Sequence, residues 1–211
     1  YLIPKAFGAK GRDSMIPLHN AVQFQHLLWD DALPTAARII DATLGNGHDL
    51  LYLATHSNAS AQLLGIDIQA SAIQASTERL AKADFADAMA SGRLQLRHGS
   101  HSDLLGAQYP FGADAVDLVV FNLGYLPGSD HHFMTQPATT IEAVQGALSH
   151  LAPRGLITLV AYPGTPEGAA EEDALRQFLS DLPQQNYEVC CWTPLNQIHR
   201  PPVLYAIRDR G

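Results

Sequence analysis

The stretch Asp41-Ala-Thr-Leu-Gly45-Asn46-Gly47-His48-Asp49 places two carboxylates around a pair of glycines one residue apart. An apolar run, Ala37-Arg38-Ile39-Ile40, precedes it, and Leu50-Leu51-Tyr52-Leu53-Ala54 follows it. The pattern predicts a buried strand, a glycine turn and a helix N-terminus. Such a turn can cradle a small ligand, because glycine lets backbone N–H groups come close where a Cβ would block them. The helix N-terminus also favours an anionic group nearby. Twenty-six residues after Asp41, Leu63-Leu64-Gly65-Ile66-Asp67 predicts a second strand ending in an acid, a place suited to a ribose diol. Together these features point to a nucleoside-containing cofactor, with a ligand-free tight turn as the plain alternative. A further strand end, Asn122 in Phe121-Asn122-Leu123-Gly124-Tyr125-Leu126-Pro127-Gly128, supplies an amide that can accept hydrogen bonds from an amine.

A dinucleotide site requires G-x-G-x-x-G, and here the third glycine is absent, since Leu50 stands in its place. Acid-x-x-x-Gly-x-Gly instead resembles motif I of the class I methyltransferases, with Thr43 where that motif usually has its first glycine. The resemblance implies S-adenosylmethionine, whose cationic amino group and sulfonium suit an early carboxylate. The expected cofactor contacts are Asp41, Thr43, Gly45, Asn46, Gly47, Asp67 and Ile68. Ser100 and His101 are expected beside the adenine, and Asn122 at the border with the acceptor. The plain readings are a helix-start carboxylate for Asp49, a loop histidine for His101 and a turn residue for Asn122.

Asn122-Leu123-Gly124-Tyr125 resembles the N-P-P-Y motif of methyltransferases that act on amines, with Leu123-Gly124 replacing the two residues between Asn and Tyr. In that motif the Asn oxygen and the next backbone carbonyl accept the amine hydrogens, which is catalysis by positioning. Three further strings join it: the glycine turn, Thr139-Thr140-Ile141-Glu142-Ala143 and Tyr162-Pro-Gly-Thr-Pro-Glu-Gly168. Together they resemble the YtqB-like rRNA methylase family, whose MnmM-type members methylate the 5-aminomethyl group of 2-thiouridine at the tRNA wobble position. The resemblance runs from about Ile39 to Ile207 and implies Asn122 and Tyr125 as catalytic residues. It implies Leu123, Gly124, Asp130, His131 and Glu167 as substrate contacts, and the tRNA anticodon stem-loop as partner. This chain departs from the family at Thr165, where a His is usual, and at Ser129-Asp130-His131, where Gly-Asp-Lys is common.

An alkylammonium, with a pKa near 10, must lose its proton before it can attack. Desolvation lowers that value, so a general base is optional, and Asp130, His131 and Glu167 are the candidates. His131-His132 has no partner spacing for a metal, and no metal is expected. A small-molecule amine methyltransferase and a cofactor-binding RNA module without turnover remain open readings, and an oxidoreductase a weaker one.

With 211 residues, 46% hydrophobic and 16% charged, one globular domain is expected: an arm and helix over residues 1–36 and a catalytic core over 37–211. No apolar run is long enough to span a bilayer and no signal pattern opens the chain. The adjacent Cys190 and Cys191 suit two reduced thiols, and a cytoplasmic location is expected. The net charge of −8 opposes broad nucleic-acid binding. However, Lys5, Lys10 and Arg12 near one end and Arg200, Arg208 and Arg210 near the other would form a basic patch if the ends meet. The oligomeric state stays open, a homodimer included.

Strands are expected at Ala37–Ile40, Leu63–Ile68, Leu94–His98, Val116–Phe121, Leu156–Ala161, Tyr187–Trp192 and Val203–Ile207. Helices are expected from Ala21 to about Asp31–Leu33, over Asp49–Thr55, from a cap at Ser71, from a cap at Thr140 to Leu151, and over Glu171–Leu182. The alternation predicts a Rossmann-like α/β fold with seven mostly parallel strands and helices on both faces. The last two strands have no helix between them, which implies an antiparallel C-terminal strand like that of the class I methyltransferases.

Overall fold

Near-continuous apolar strands between amphipathic helices require a sheet buried on both faces. The computed structural model describes residues 20–124 and 135–211. Its elements run α1 (Ala21–Ala32), β1 (Arg38–Asp41), α2 (His48–His56), β2 (Gln62–Asp67), α3 (Ala70–Lys82), α4 (Ala86–Ala90) and β3 (Leu94–His98). They continue α5 (His101–Leu105), β4 (Val116–Asn122), α6 (Pro137–Ser149), β5 (Leu151–Ala161), α7 (Pro166–Ser180), β6 (Tyr187–Trp192) and β7 (Val203–Asp209). The seven strands form one sheet in the order β3-β2-β1-β4-β5-β7-β6. β1 to β5 pair in parallel, as the alternation predicts, and β7 runs antiparallel to both β5 and β6, as the class I resemblance implies.

Successive strand residues point to opposite faces, and the core divides accordingly. Ile40, Val119, Phe121, Ile157 and Leu159 join the layer with α5, α6 and α7. Ile39, Leu118, Val120 and Leu156 join the layer with Trp29, Leu50, Leu53 and Leu80 on the other face. Each of these side chains is essentially fully buried, worth about 1.5–3 kcal/mol apiece before entropy is charged against it. The strand order reverses between β1 and β4, and in open α/β sheets the ligand crevice lies beyond the carboxyl ends at such a reversal. Asp41 and Asn122 end those two strands.

Several elements differ from expectation. β5 begins at Leu151, so Pro153-Arg154-Gly155 lies inside the strand rather than ending a helix. Arg154 takes φ 65, and the β4 pairing shifts register between Val116 and Leu118, so the tripeptide makes an irregularity, not a stop. α6 starts at Pro137 behind Gln136, and Thr140 is buried within it rather than capping it. Thr140 donates its hydroxyl to Glu171 Oε1 at 2.6 Å. α3 begins behind Gln69, not Ser71, and α7 begins at Pro166 rather than at Glu171. The short helices α4 and α5 had no periodic signal long enough to find. The C-terminal cations do not gather: Arg208 pairs with Asp31 at 3.7 Å, whereas Arg200 lies at the ligand crevice. Lys5, Lys10 and Arg12 lie outside the described residues.

Candidate active site

The glycine turn is fixed by steric need and by its neighbours. Gly45 and Gly47 have φ of 51 and 75, in the left-handed region that penalises a Cβ. A Cβ on Gly47 would also come within 2.6 Å of Ser76 Oγ, because α3 packs against the turn. Ser76 Oγ donates to the Gly45 carbonyl at 3.0 Å, and Arg79 Nε to the Asn46 carbonyl at 2.6 Å. From the other side, Asp67 Oδ2 accepts the Gly45 N–H and Oδ1 accepts the Gln69 N–H, both at 2.8 Å. Each carboxylate oxygen keeps a further acceptor direction, so Asp67 shapes the turn and can still receive hydroxyls from the cavity. Thr43, in place of the usual glycine, links the two strand ends: its Oγ1 accepts the Asn122 N–H at 2.6 Å.

Between the ends of β1, β2 and β4 opens a cavity of about 1130 Å³. That exceeds the roughly 300–1,000 Å³ of an ordinary small-molecule pocket, leaving room for two ligands side by side. Thr43, Gly45, Asn46, Asp67 and Ile68 line one side of it. Ser100, His101, Asn122, Leu123 and Gly124 line it too. Ser100 caps α5, its Oγ accepting the Ser102 N–H at 3.3 Å. Burial holds the His101 imidazole below its ordinary pKa, opposed by a hydrogen bond to the Thr139 backbone, so the ring is neutral near pH 7. His101 Nε2 is buried and has no hydrogen-bond partner among the described residues.

Asn122 is held on one side only. Its Nδ2 donates a short hydrogen bond to Asp49 Oδ2, and Asp49 Oδ1 accepts from His26 Nε2 at 3.0 Å. Its Oδ1 is shielded from water and has no hydrogen-bond partner among the described residues. A buried acceptor left so costs about 1–3 kcal/mol. The chain just beyond is anchored as well: Gly124 N–H donates to Thr135 Oγ1 at 3.0 Å, and Thr135 N–H to the Gly124 carbonyl at 3.1 Å. Thr135 Oγ1 in turn donates to the buried Glu171 Oε2 at 2.7 Å, tying this neck to α7.

Three expected contacts fall elsewhere. Asp41 is 2% exposed and stands behind the cavity wall, with Oδ1 on the Thr43 N–H at 3.2 Å. Burial, and then the Asp49 charge, raise its carboxyl well above the usual range, so it does not serve as an exposed early carboxylate. Gly47 is likewise buried under the turn, outside the lining. Glu167 is exposed in the first turn of α7 and does not line the cavity. Tyr125, Asp130 and His131 lie outside the described residues.

Sequence reasoning also missed wall residues, among them Gln69, Thr139, Tyr162 and Arg200. Gln69, Tyr162 and Arg200 sit on three different connections and Thr139 in the first turn of α6; Thr139 and Tyr162 belong to the strings singled out above, but nothing in those strings turns either toward the cavity. Thr165, where the family has His, is the N-cap of α7, its Oγ1 accepting the Gly168 N–H at 3.1 Å. Among the described residues, no three His, Cys, Asp or Glu side chains gather as a metal site. No described helix is long and apolar enough to cross a membrane.

Comparison with known proteins agrees with this geometry. The model of the family described as "Putative rRNA methylase" matches residues 63–208. A chloroplastic tRNA (mnm(5)s(2)U34)-methyltransferase of Arabidopsis thaliana is 32% identical over 194 residues, 90% of this chain and 69% of that protein. The crystal structure of a "putative rRNA-methylase" from Clostridium thermocellum superposes with a TM-score of 0.83 at 32% identity, covering 90% of this chain and 97% of that one. A Streptococcus mutans methyltransferase, solved in complex with SAH, superposes with a TM-score of 0.77 at 30% identity, covering 90% and 98%. The switch-point cavity, the glycine turn and these matches together establish that the chain belongs to the rRNA methylase family and has the class I methyltransferase fold.

Proposed function

We propose that this chain is an S-adenosylmethionine-dependent N-methyltransferase acting on tRNA, and that its acceptor is the 5-aminomethyl group of the wobble uridine. The observation that carries this reading is Asn122: a strand-end amide on the cavity wall, its nitrogen committed to Asp49 and its oxygen buried without a partner. An amine N–H supplies the missing donor, and the contact turns the nitrogen lone pair toward the cofactor side of the cavity. The names of the Arabidopsis relative and of the S. mutans complex support substrate and cofactor respectively.

The residues fit the cofactor. Gly45 and Asn46 offer a close-approach turn, Asp67 keeps acceptor capacity for a ribose, and His101 Nε2 is an unpaired buried nitrogen beside Ser100. S-adenosylmethionine supplies an electrophilic methyl group when bound. Asn122 then holds the amine, the apolar wall lowers the pKa of an entering alkylammonium by desolvation, and Asp49 presents a carboxylate beside the amide. A wobble base reaches such a crevice only when flipped out of its stack. A cytoplasmic setting belongs to the same reading, supported by the exposed, unpaired thiols of Cys190 and Cys191.

One observation favours a small-molecule amine instead: the net charge is −8, and Arg200 is the sole Lys or Arg among the described cavity residues. Nucleoside mass spectrometry decides between them. Purified protein, S-adenosylmethionine and tRNA carrying 5-aminomethyl-2-thiouridine are expected to yield one added methyl on that nucleoside, lost in Asn122→Ala. No gain with cofactor binding intact would discard the wobble acceptor. Binding to an anticodon stem-loop that falls steeply with salt is the matching sign of RNA.

A further inference from the structure

His26 lies outside every motif that marks the cavity and outside the residues the family model matches. It nevertheless ends a chain of polar contacts that starts at the acceptor amide: Asn122 Nδ2 to Asp49 Oδ2, then Asp49 Oδ1 to His26 Nε2 at 3.0 Å. We propose that His26 is a positioning residue for methyl transfer, which, through Asp49, fixes the Asn122 amide with its nitrogen turned away and its oxygen left for the acceptor amine. The inference deepens the proposed function and rests on its assignment of Asn122.

The two ends of an Asn amide have nearly the same shape, so neighbours decide which way it points. An ionised carboxylate only accepts hydrogen bonds. Asp49 therefore selects the orientation with Nδ2 toward itself, and a flip would set Oδ1 against a negative oxygen. The choice holds only if Asp49 itself is fixed. It sits in the first turn of α2, where side chains have rotamer freedom, and His26 takes up its second oxygen.

His26 is in turn held rigidly. Its ring stacks on Tyr52 at 4.0 Å and meets Trp29 at 4.6 Å. The neighbours of His26 on α1 fasten that helix to the sheet. Gln25 Nε2 and Trp29 Nε1 both donate to the buried Thr158 Oγ1 of β5, at 2.9 and 2.8 Å. Gln25 Nε2 also reaches the Phe121 carbonyl at 3.4 Å, one residue before Asn122. A Gln buried to 0% in a helix face is unusual, and here it registers α1 against the strand end that carries the acceptor amide. Backbone and side chain of Asn122 are thus fixed from two directions, by Thr43 and by the Asp49–His26 pair.

The test compares wild type, His26→Ala, His26→Gln, Asn122→Ala and the His26→Ala/Asn122→Ala double variant. Turnover is measured on tRNA carrying 5-aminomethyl-2-thiouridine, alongside cofactor affinity. His26→Ala is expected to lower kcat roughly tenfold, below the roughly hundredfold of a full misplacement, with cofactor affinity unchanged. His26→Gln, whose Nε2 can replace the lost donor, is expected to restore most of it. In the Asn122→Ala background, His26→Ala is expected to add nothing, because its effect passes through that amide. Equal losses in both backgrounds mean a general structural role and overturn the inference, as does an unchanged kcat. A readout without substrate separates this from the substrate assignment: the Asn122 side-chain NH₂ resonance, identified by its loss in Asn122→Ala. Movement of that signal in His26→Ala supports the positioning role even if wild type leaves this tRNA unmethylated, an outcome that removes only the wobble acceptor. A signal that stays put overturns the inference.

Discussion

The two halves of the cavity are built in opposite ways. The proposed cofactor side is local: the Gly45–Gly47 turn, Asp67 and the Gln69 N–H come from one β1-α2-β2-α3 stretch and are cross-linked mainly through backbone groups. The proposed acceptor side is assembled from distant chain segments: Asn122 ends β4, Asp49 begins α2, His26 sits on α1, and Thr135 reports to Glu171 on α7. Backbone geometry can grip a cofactor wherever strand, turn and helix occur in order. Placing one amide oxygen for one amine demands side chains from several layers. Variants on the first side should therefore change affinity, and those on the second should change turnover.

The largest expected effect sharpens that contrast. Asn122→Ala is expected to cut kcat by about 10²-fold or more, by analogy with the loss of one positioned hydrogen-bonding group at a reacting centre. Cofactor Kd should hold. Asp67→Ala is expected to do the reverse, weakening cofactor binding by roughly ten- to hundredfold, about 1.4–2.8 kcal/mol. Isothermal titration with S-adenosylmethionine and initial rates at saturating cofactor separate the two. If Asn122→Ala weakened cofactor binding as much as Asp67→Ala, the halves would not be independent.

Next in size is Gly168→Ala. A Cβ there would stand 2.2 Å from the Tyr162 carbonyl oxygen, a backbone atom that cannot swing aside. Relief requires α7 to back away from the strand end, and overpacking of this kind costs about 1–3 kcal/mol. Because Tyr162 lines the acceptor side, kcat should fall along with the melting temperature. A lower melting temperature with unchanged kcat would detach α7 from acceptor placement.

That glycine also shows what the sequence made legible. Gly168 and Tyr162 were visible as one motif, yet nothing in their spacing says that one residue's carbonyl fills the other's missing side chain. Periodicity was enough for the seven strands and the long helices, because each buries a repeating apolar face. It failed at Pro153-Arg154-Gly155, where a strand absorbs residues that usually end a helix. On the cofactor side, motif and structure coincide at Thr43, Gly45, Asn46 and Asp67. Asp41 fits the motif but is turned inward, a matter of side-chain direction that a pattern of residue types does not carry. For His26 there was one usable clue: Gln25 and Trp29, four apart, put hydrogen-bonding groups on the buried face of a helix, which marks a polar network beneath it.

His101 tests the cofactor side by pH. Burial lowers its pKa in the folded protein, so the unfolded chain, with an ordinary value near 6.5, binds the proton more readily. Its contribution to stability is therefore fully present above about pH 6.5 and is lost as pH falls through the folded value. Urea midpoints at pH 7.5 and 5.5 are expected to drop less for His101→Gln than for wild type. The same acid loss should be larger with S-adenosylmethionine bound, because a cofactor covering the wall where Nε2 is buried disfavours protonation of the folded state further. Equal drops in both proteins would assign the acid sensitivity to other groups.

The smallest expected effect concerns Thr165, where this chain departs from its family. Its hydroxyl caps α7 through the Gly168 N–H, and removing such a cap costs about 1 kcal/mol. Thr165→Ala is therefore expected to lower the melting temperature by roughly 2–4 °C for a chain of this size. Thr165 also lines the cavity, so its variants separate a capping role from a chemical one. Ser keeps the hydroxyl and should preserve both stability and turnover, whereas Asn keeps the cap through a different side chain and alters the wall. If Asn retains stability but loses turnover, Thr165 contacts the acceptor, and the acceptor side extends to the base of α7. If Ala loses only stability and Asn loses nothing, the position serves the helix alone, and the hydroxyl does here what an exposed N-terminal turn needs and no more.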